Sequence, residues 1–127
     1  SMNLLLDTHA VYWFLTGHDR LSARARKAIS DPDNSALVSA ASAYEVALKA
    51  RRGRLDAAVV AEFGAMLRAA RLTALPVTIK HALEAGRLPE PHRDPWDRII
   101  MAQAQSERAT VVTLDAVFGE YGIPTLW

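Results

Sequence analysis

Asn3-Leu4-Leu5-Leu6-Asp7-Thr8-His9-Ala10-Val11-Tyr12-Trp13-Phe14-Leu15 joins a short, wholly apolar run to a longer one with helical spacing, and an aspartate marks the change. A strand buried on both faces reads as continuous apolar sequence, and Asp is well suited to cap the helix that follows, because its oxygens accept orphan amide protons. The same junction recurs along the chain. Ala36-Leu37-Val38 precedes a helical pattern containing Glu45, Asp94-Pro95-Trp96-Asp97 opens another, and Thr110-Val111-Val112-Thr113-Leu114 runs into Asp115. Short β-branched or leucine-rich runs alternating with longer helical patterns predict βα units and a parallel sheet rather than a bundle. Strands are expected at 3–6, 35–38, 73–76, 110–114 and 124–126, and helices near 8–16, 22–30, 42–52, 56–71, 78–86, 95–108 and 115–121.

In a parallel α/β sheet the carboxyl ends of the strands share one edge, so Asp7, Glu45, Asp97 and Asp115 can converge on one crevice although they lie far apart in sequence. Unit charges about 4 Å apart repel by roughly 4 kcal/mol at a surface-like dielectric. An ionised cluster of that kind needs protons or a cation to hold it. Each acid also has a purely structural explanation. Asp7 reads as an N-cap, and Ser42-Ala43-Tyr44-Glu45 reads as a capping box with Lys49 at ion-pair spacing from Glu45. Asp94 reads as the cap before a proline at the first helical position, and Asp97 as a first-turn acid favoured by the helix dipole. Four such junctions each bearing an acid carry more weight than any one of them.

The 127 residues fit one domain over 2–127, with Ser1 before Met2 read as a tag remnant. No apolar run approaches the roughly 20 residues of a membrane span. The absence of cysteine excludes disulfides and thiolate zinc sites and suits a cytoplasmic protein. His9, His18, His81 and His92 share no short ligand spacing, so the chemistry expected is that of oxygen ligands. Net charge is +1, yet neutralising four acids in one pocket would leave the rest of the surface basic. Arg20, Arg24, Arg26, Arg51, Arg52 and Arg54 supply much of that surplus and are candidates to meet phosphates, with solvated helix faces as the alternative reading of each. The 56–71 segment is amphipathic, Gly53 ends the helix before it, and Pro89, Pro91 and Pro95 mark a stiff loop.

Leu4-Leu5-Leu6-Asp7-Thr8-His9, Val38 to Lys49, His92 to Ala104 and Val112-Thr113-Leu114-Asp115, in this order, resemble the PIN domain and, within it, the VapC-like toxins of bacterial type II toxin–antitoxin systems. The resemblance covers essentially the whole chain and implies a three-layer α/β/α sandwich around a central parallel sheet. It implies a metal-dependent ribonuclease in which Asp7, Glu45, Asp97 and Asp115 are the catalytic, metal-binding acids, with Asp94 belonging to a subgroup pattern. Mg2+ or Mn2+ is the implied cofactor, since magnesium takes oxygen ligands and keeps waters. Implied partners are an RNA substrate, a small VapB-like antitoxin and a second copy in a homodimer. Thr8, Ser42, Lys49, His92, Arg93 and Thr113 are candidate substrate-binding residues. Tyr12, Trp13, Phe63, Met66 and Leu67 are candidates for partner contact or core.

Three rival readings remain open from sequence. The same site acting on structured DNA is one. A receiver-like phosphotransfer module is another, although acids at 45 and 115 fit it poorly. A pure interaction protein, whose acids only cap helices, is the third.

Overall fold

The computed structural model describes residues 1–90 and 92–127; of the loop prolines, Pro91 lies outside the described residues. Among the described residues five parallel strands form one sheet in the order β3-β2-β1-β4-β5. They are β1 Asn3–Leu6, β2 Ser35–Ser39, β3 Thr73–Leu75, β4 Thr110–Val112 and β5 Thr125–Leu126. Among the described residues eight helices accompany them: α1 Thr8–Thr16, α2 Ala23–Ser30, α3 Ala40–Arg51, α4 Ala57–Ala61, α5 Phe63–Ala69, α6 Ile79–Arg87, α7 Pro95–Glu107 and α8 Val117–Glu120.

The leucine run sits at the centre of the sheet, with Leu5 facing Leu37 on one side and Val111 on the other. Because successive strand residues point to opposite faces, this one strand feeds two cores. Leu4 and Leu6 pack with Ala10 and Val11 of α1, Ala25 and Ile29 of α2 and Leu67 of α5. Leu5 packs with Ile100, Met101 and Ala104 of α7 and with Phe118 of α8. All three leucines are fully buried. The result is the expected α/β/α layering. The chain moves outward from β1 through β2 to β3, then returns to lay β4 against the other side of β1. That reversal opens a crevice beyond the ends of β1 and β4, where open α/β sheets take their ligands.

Several local expectations are corrected. The helix expected over 56–71 is two helices, α4 and α5, with Glu62 between them at φ −105°. Valines 59 and 60 and Gly64 are weak helix formers, which lowers the cost of interrupting it there. The capping box at Ser42 is not formed. Ser39 caps α3 through Ala41 N–H, so the helix starts two residues earlier and Glu45 falls in its second turn. Asp97 does not follow a strand either: α7 is preceded by α6 and a loop. Strictly, then, only Asp7 and Asp115 lie just beyond strand ends. Of the apolar candidates for a partner surface, Leu67 is core. Gly53 does turn the chain after α3, at φ +73°.

Candidate active site

Asp7, the residue after β1, caps α1 by accepting from Ala10 N–H at 2.8 Å. Its own N–H donates to Val112 O at 3.1 Å, tying it to the end of β4. Thr113, the next residue there, hydrogen-bonds the Asp7 carboxyl, and its Oγ1 accepts from Asp115 N–H at 2.9 Å. Asp115 in turn accepts from Val117 N–H and fixes the turn into α8. Two acids are thus set just beyond the ends of adjacent strands by backbone and side-chain hydrogen bonds.

Glu45 reaches the same place from α3. Thr8 donates a short hydrogen bond to its Oε1, Lys49 Nζ lies 3.2 Å from Oε2, and the Thr8 and Ser42 hydroxyls are bonded at 3.3 Å. Asp97 comes from the first turn of α7, capped by Asp94, which accepts from both Trp96 and Asp97 N–H. His92 Nε2 lies 3.0 Å from Asp97 Oδ2. Tyr44 and Trp96, each one residue before an acid, pack ring against ring with centroids 4.7 Å apart and join α3 to α7.

Arg98 fixes the loop before α7. Its guanidinium donates to the carbonyls of Ala85, Pro89, Leu88 and His92, so one side chain holds the end of α6 and the whole approach to Asp94. Tyr121 assists, donating to Pro89 O at 2.6 Å and accepting from His92 N–H at 3.1 Å.

Asp7, Glu45, Asp94, Asp97 and Asp115 all line one cleft of about 440 Å³. Burial holds the Asp7 carboxyl above its ordinary pKa, against hydrogen bonds from Thr113 and Ala10 and the His9 charge, with Glu45 adding to the rise. Burial likewise pushes Asp97 up to about 6; the His92 contact opposes this and the charges of Asp94 and Asp115 reinforce it. Among the described residues, no three Asp, Glu or His side chains stand close enough to cage an ion. Each carboxylate is instead engaged by a neighbouring protein group. The donor set is nonetheless all oxygen, and burial holds two of its acids, Asp7 and Asp97, back from ionising; that is chemistry that suits a hard divalent cation.

The remaining candidates divide. Lys49 and Thr8 line the cleft. Thr8, Ser42 and Thr113 are buried, Ser42 completely; they orient Glu45, Asp7 and Asp115, and Ser42 is not placed to touch a substrate. Arg93 is displaced from the cleft, pairing with Glu90 at 3.6 Å beside a separate groove on α6 and α7. Five cleft residues were not foreseen as such: His9, Trp13, Arg20, Leu114 and Trp127. The spacing of His9 and Trp13, one turn apart on the helix that Asp7 caps, is a signal the sequence does hold. Trp127 has none, since its position depends on β5 pairing with β4.

Acids drawn from separate segments to the switch point of a parallel sheet define an α/β protein of the carboxylate-site class. The family model for the PIN domain matches residues 4–124, and the chain belongs to the PIN-domain family. It is 32% identical to Ribonuclease VapC22 of Mycobacterium tuberculosis over 128 residues, covering 98% of each chain. Similar solved folds include VapBC2 from Rickettsia felis bound to a promoter DNA fragment, with TM-score 0.76 and 17% identity over 98% of each chain. Another is M. tuberculosis VapC20, described as a Sarcin-Ricin loop cleaving toxin, with TM-score 0.65 and 22% identity over 94% of this chain and 95% of that one.

Proposed function

We propose that this protein is a Mg2+- or Mn2+-dependent endoribonuclease, the toxin of a type II toxin–antitoxin pair, acting on RNA in the cytoplasm and restrained by a small VapB-like antitoxin. The observation that carries the reading is the gathering of Asp7, Glu45, Asp97 and Asp115, with Asp94 beside them, into one cleft. The full-length similarity to a ribonuclease supports the choice of RNA. Solved relatives that are VapBC complexes support the antitoxin.

Asp7, Glu45, Asp97 and Asp115 would hold the cation, and Asp94 would keep Asp97 in register through the α7 cap. When bound, such a cation supplies Lewis-acid polarisation of a phosphoryl oxygen and activates water at neutral pH. The protein's own part is to position. Thr8 and Lys49 fix the two Glu45 oxygens, Thr113 fixes Asp7, and His92 holds one oxygen of Asp97. Lys49 and Arg20 bring positive charge to the cleft, where a phosphodiester would otherwise meet only carboxylates. A mostly apolar groove along α4 and α5, lined by Ala58, Val59, Glu62, Ala65, Met66 and Ala69, offers surface for a protein partner away from the acids of the cleft. Among the described residues no helix is long and apolar enough to cross a membrane.

The test is incubation of purified protein with total cellular RNA, with manganese and with EDTA, followed by mapping of new ends, with flap DNA in parallel. Discrete manganese-dependent RNA ends are expected. Intact RNA under both conditions, or cut DNA beside intact RNA, would refute the reading.

A further inference from the structure

Part of the lining of the cleft is aromatic and cationic. His9 and Trp13 stack with centroids 5.2 Å apart and planes 26° from parallel. The Arg20 guanidinium lies 5.0 Å from the Trp13 ring centre, and Trp127 meets Trp13 edge-on at 5.9 Å. Trp13 and Trp127 are half-buried against the core, which is enough to explain their presence. Core packing does not explain the other two. His9 and Arg20 are exposed, and Arg20 has no carboxylate partner among the described residues, yet both are gathered into the acid-lined cleft.

Building on the ribonuclease reading, we infer that His9, Trp13 and Arg20 form a stacking subsite for one unpaired RNA base beside the bond to be cut. Each nucleotide offers a π face and a phosphate; Trp13 is itself covered by His9, His18 and Arg20, so the wall offers the exposed His9 ring, backed by Trp13, and a guanidinium. Duplex RNA withholds its faces because its bases stack on one another, and its deep groove admits no side chains. A single strand or loop presents them, and aromatic stacking takes any base because all have a π face. Selection at this position is therefore for an unpaired nucleotide rather than for a particular base.

The test is fluorescence anisotropy of a labelled single-stranded RNA dodecamer, with EDTA and with magnesium, alongside manganese-dependent cleavage of the same RNA. His9 is exposed, so His9→Ala should keep the fold. It is expected to weaken binding about 5- to 100-fold, while His9→Phe, which keeps a ring and drops the charge, restores it. The same loss is expected for wild-type protein when the base beside the cut is replaced by an abasic site. Unchanged binding by His9→Ala, failure of His9→Phe to restore it, equal binding to the same dodecamer annealed to its complement as a blunt duplex, or no wild-type binding in either buffer would overturn the subsite. Cleavage with unchanged His9→Ala binding would overturn the subsite alone. Ring-dependent binding without cleavage would uphold the subsite and overturn the ribonuclease reading.

Discussion

Asp7 meets two demands that differ in their effect on stability. Its carboxyl caps α1 through Ala10 N–H, which asparagine can also do, but as a buried acid with Glu45 nearby it resists ionisation. Asp7→Asn should therefore leave the melting temperature unchanged or raise it, while RNA cleavage falls at least ~100-fold. A melt and a cleavage assay on one preparation check both. Asp97 adds a pH dependence. The folded protein holds this proton up to about pH 6, whereas an unfolded aspartate loses it near 3.9. Between those values the native state binds more protons, so raising the pH through the window reduces stability, by at most ~3 kcal/mol, and the loss is complete above it. Urea unfolding at pH 4, 5, 6 and 7 in EDTA should show this slope in the wild type and a flatter one in Asp97→Asn. At this level the sequence was partly legible. The identities of the acids and the Asp7 cap could be read, because capping depends on local chain geometry. The bonds of Ser42 and Thr113 to residues 34 and 106 positions away could not, because they arise only once the sheet has formed.

The elements show why. β1 and α1 match their sequence signals because a buried leucine run and an Asp cap determine them locally. The start of α3 was misread because Ser39 and Ser42 are both competent caps, and the choice between them is made by where β2 ends. The α6–α7 loop lies furthest from local rules. Its form depends on Arg98, which carries no distinguishing signal in the sequence but in the fold collects the carbonyl oxygens of Ala85, Leu88, Pro89 and His92. Hydrogen bonds to a charged group contribute ~1.5–3 kcal/mol each when considered alone and are not additive. Arg98→Met should cost at least ~2 kcal/mol in urea unfolding and reduce cleavage as well, since the turn bearing Asp94 and Asp97 loses its clamp. Arg98→Lys, lacking the planar fork, should recover only part of either. Wild-type stability in Arg98→Met would show that the loop is held by other means.

For the molecule as a whole, the topology turns a set of helix starts into a site. Reversal of strand order beside β1 brings the ends of β1 and β4 together, α3 enters from one side and α7 from the other, and five acids meet in one cleft. Glu45 is paired with Lys49 and Asp97 with His92, so binding a cation must compete with these contacts and with protons. Divalent cation should therefore raise the melting temperature more at pH 7.5 than at pH 5, with EDTA reversing the gain, because anything that binds only the native state stabilises it. A thermal melt at the two pH values measures this. Calorimetric titration of manganese into the wild-type protein and into Asp7→Asn, Glu45→Gln, Asp97→Asn and Asp115→Asn, at pH 7.5, decides whether these carboxylates serve one ion. Saturable binding by the wild type that is weakened at least ~10-fold by every one of the four substitutions is expected; no wild-type binding, or binding untouched by all four, would mean that the acids only begin helices.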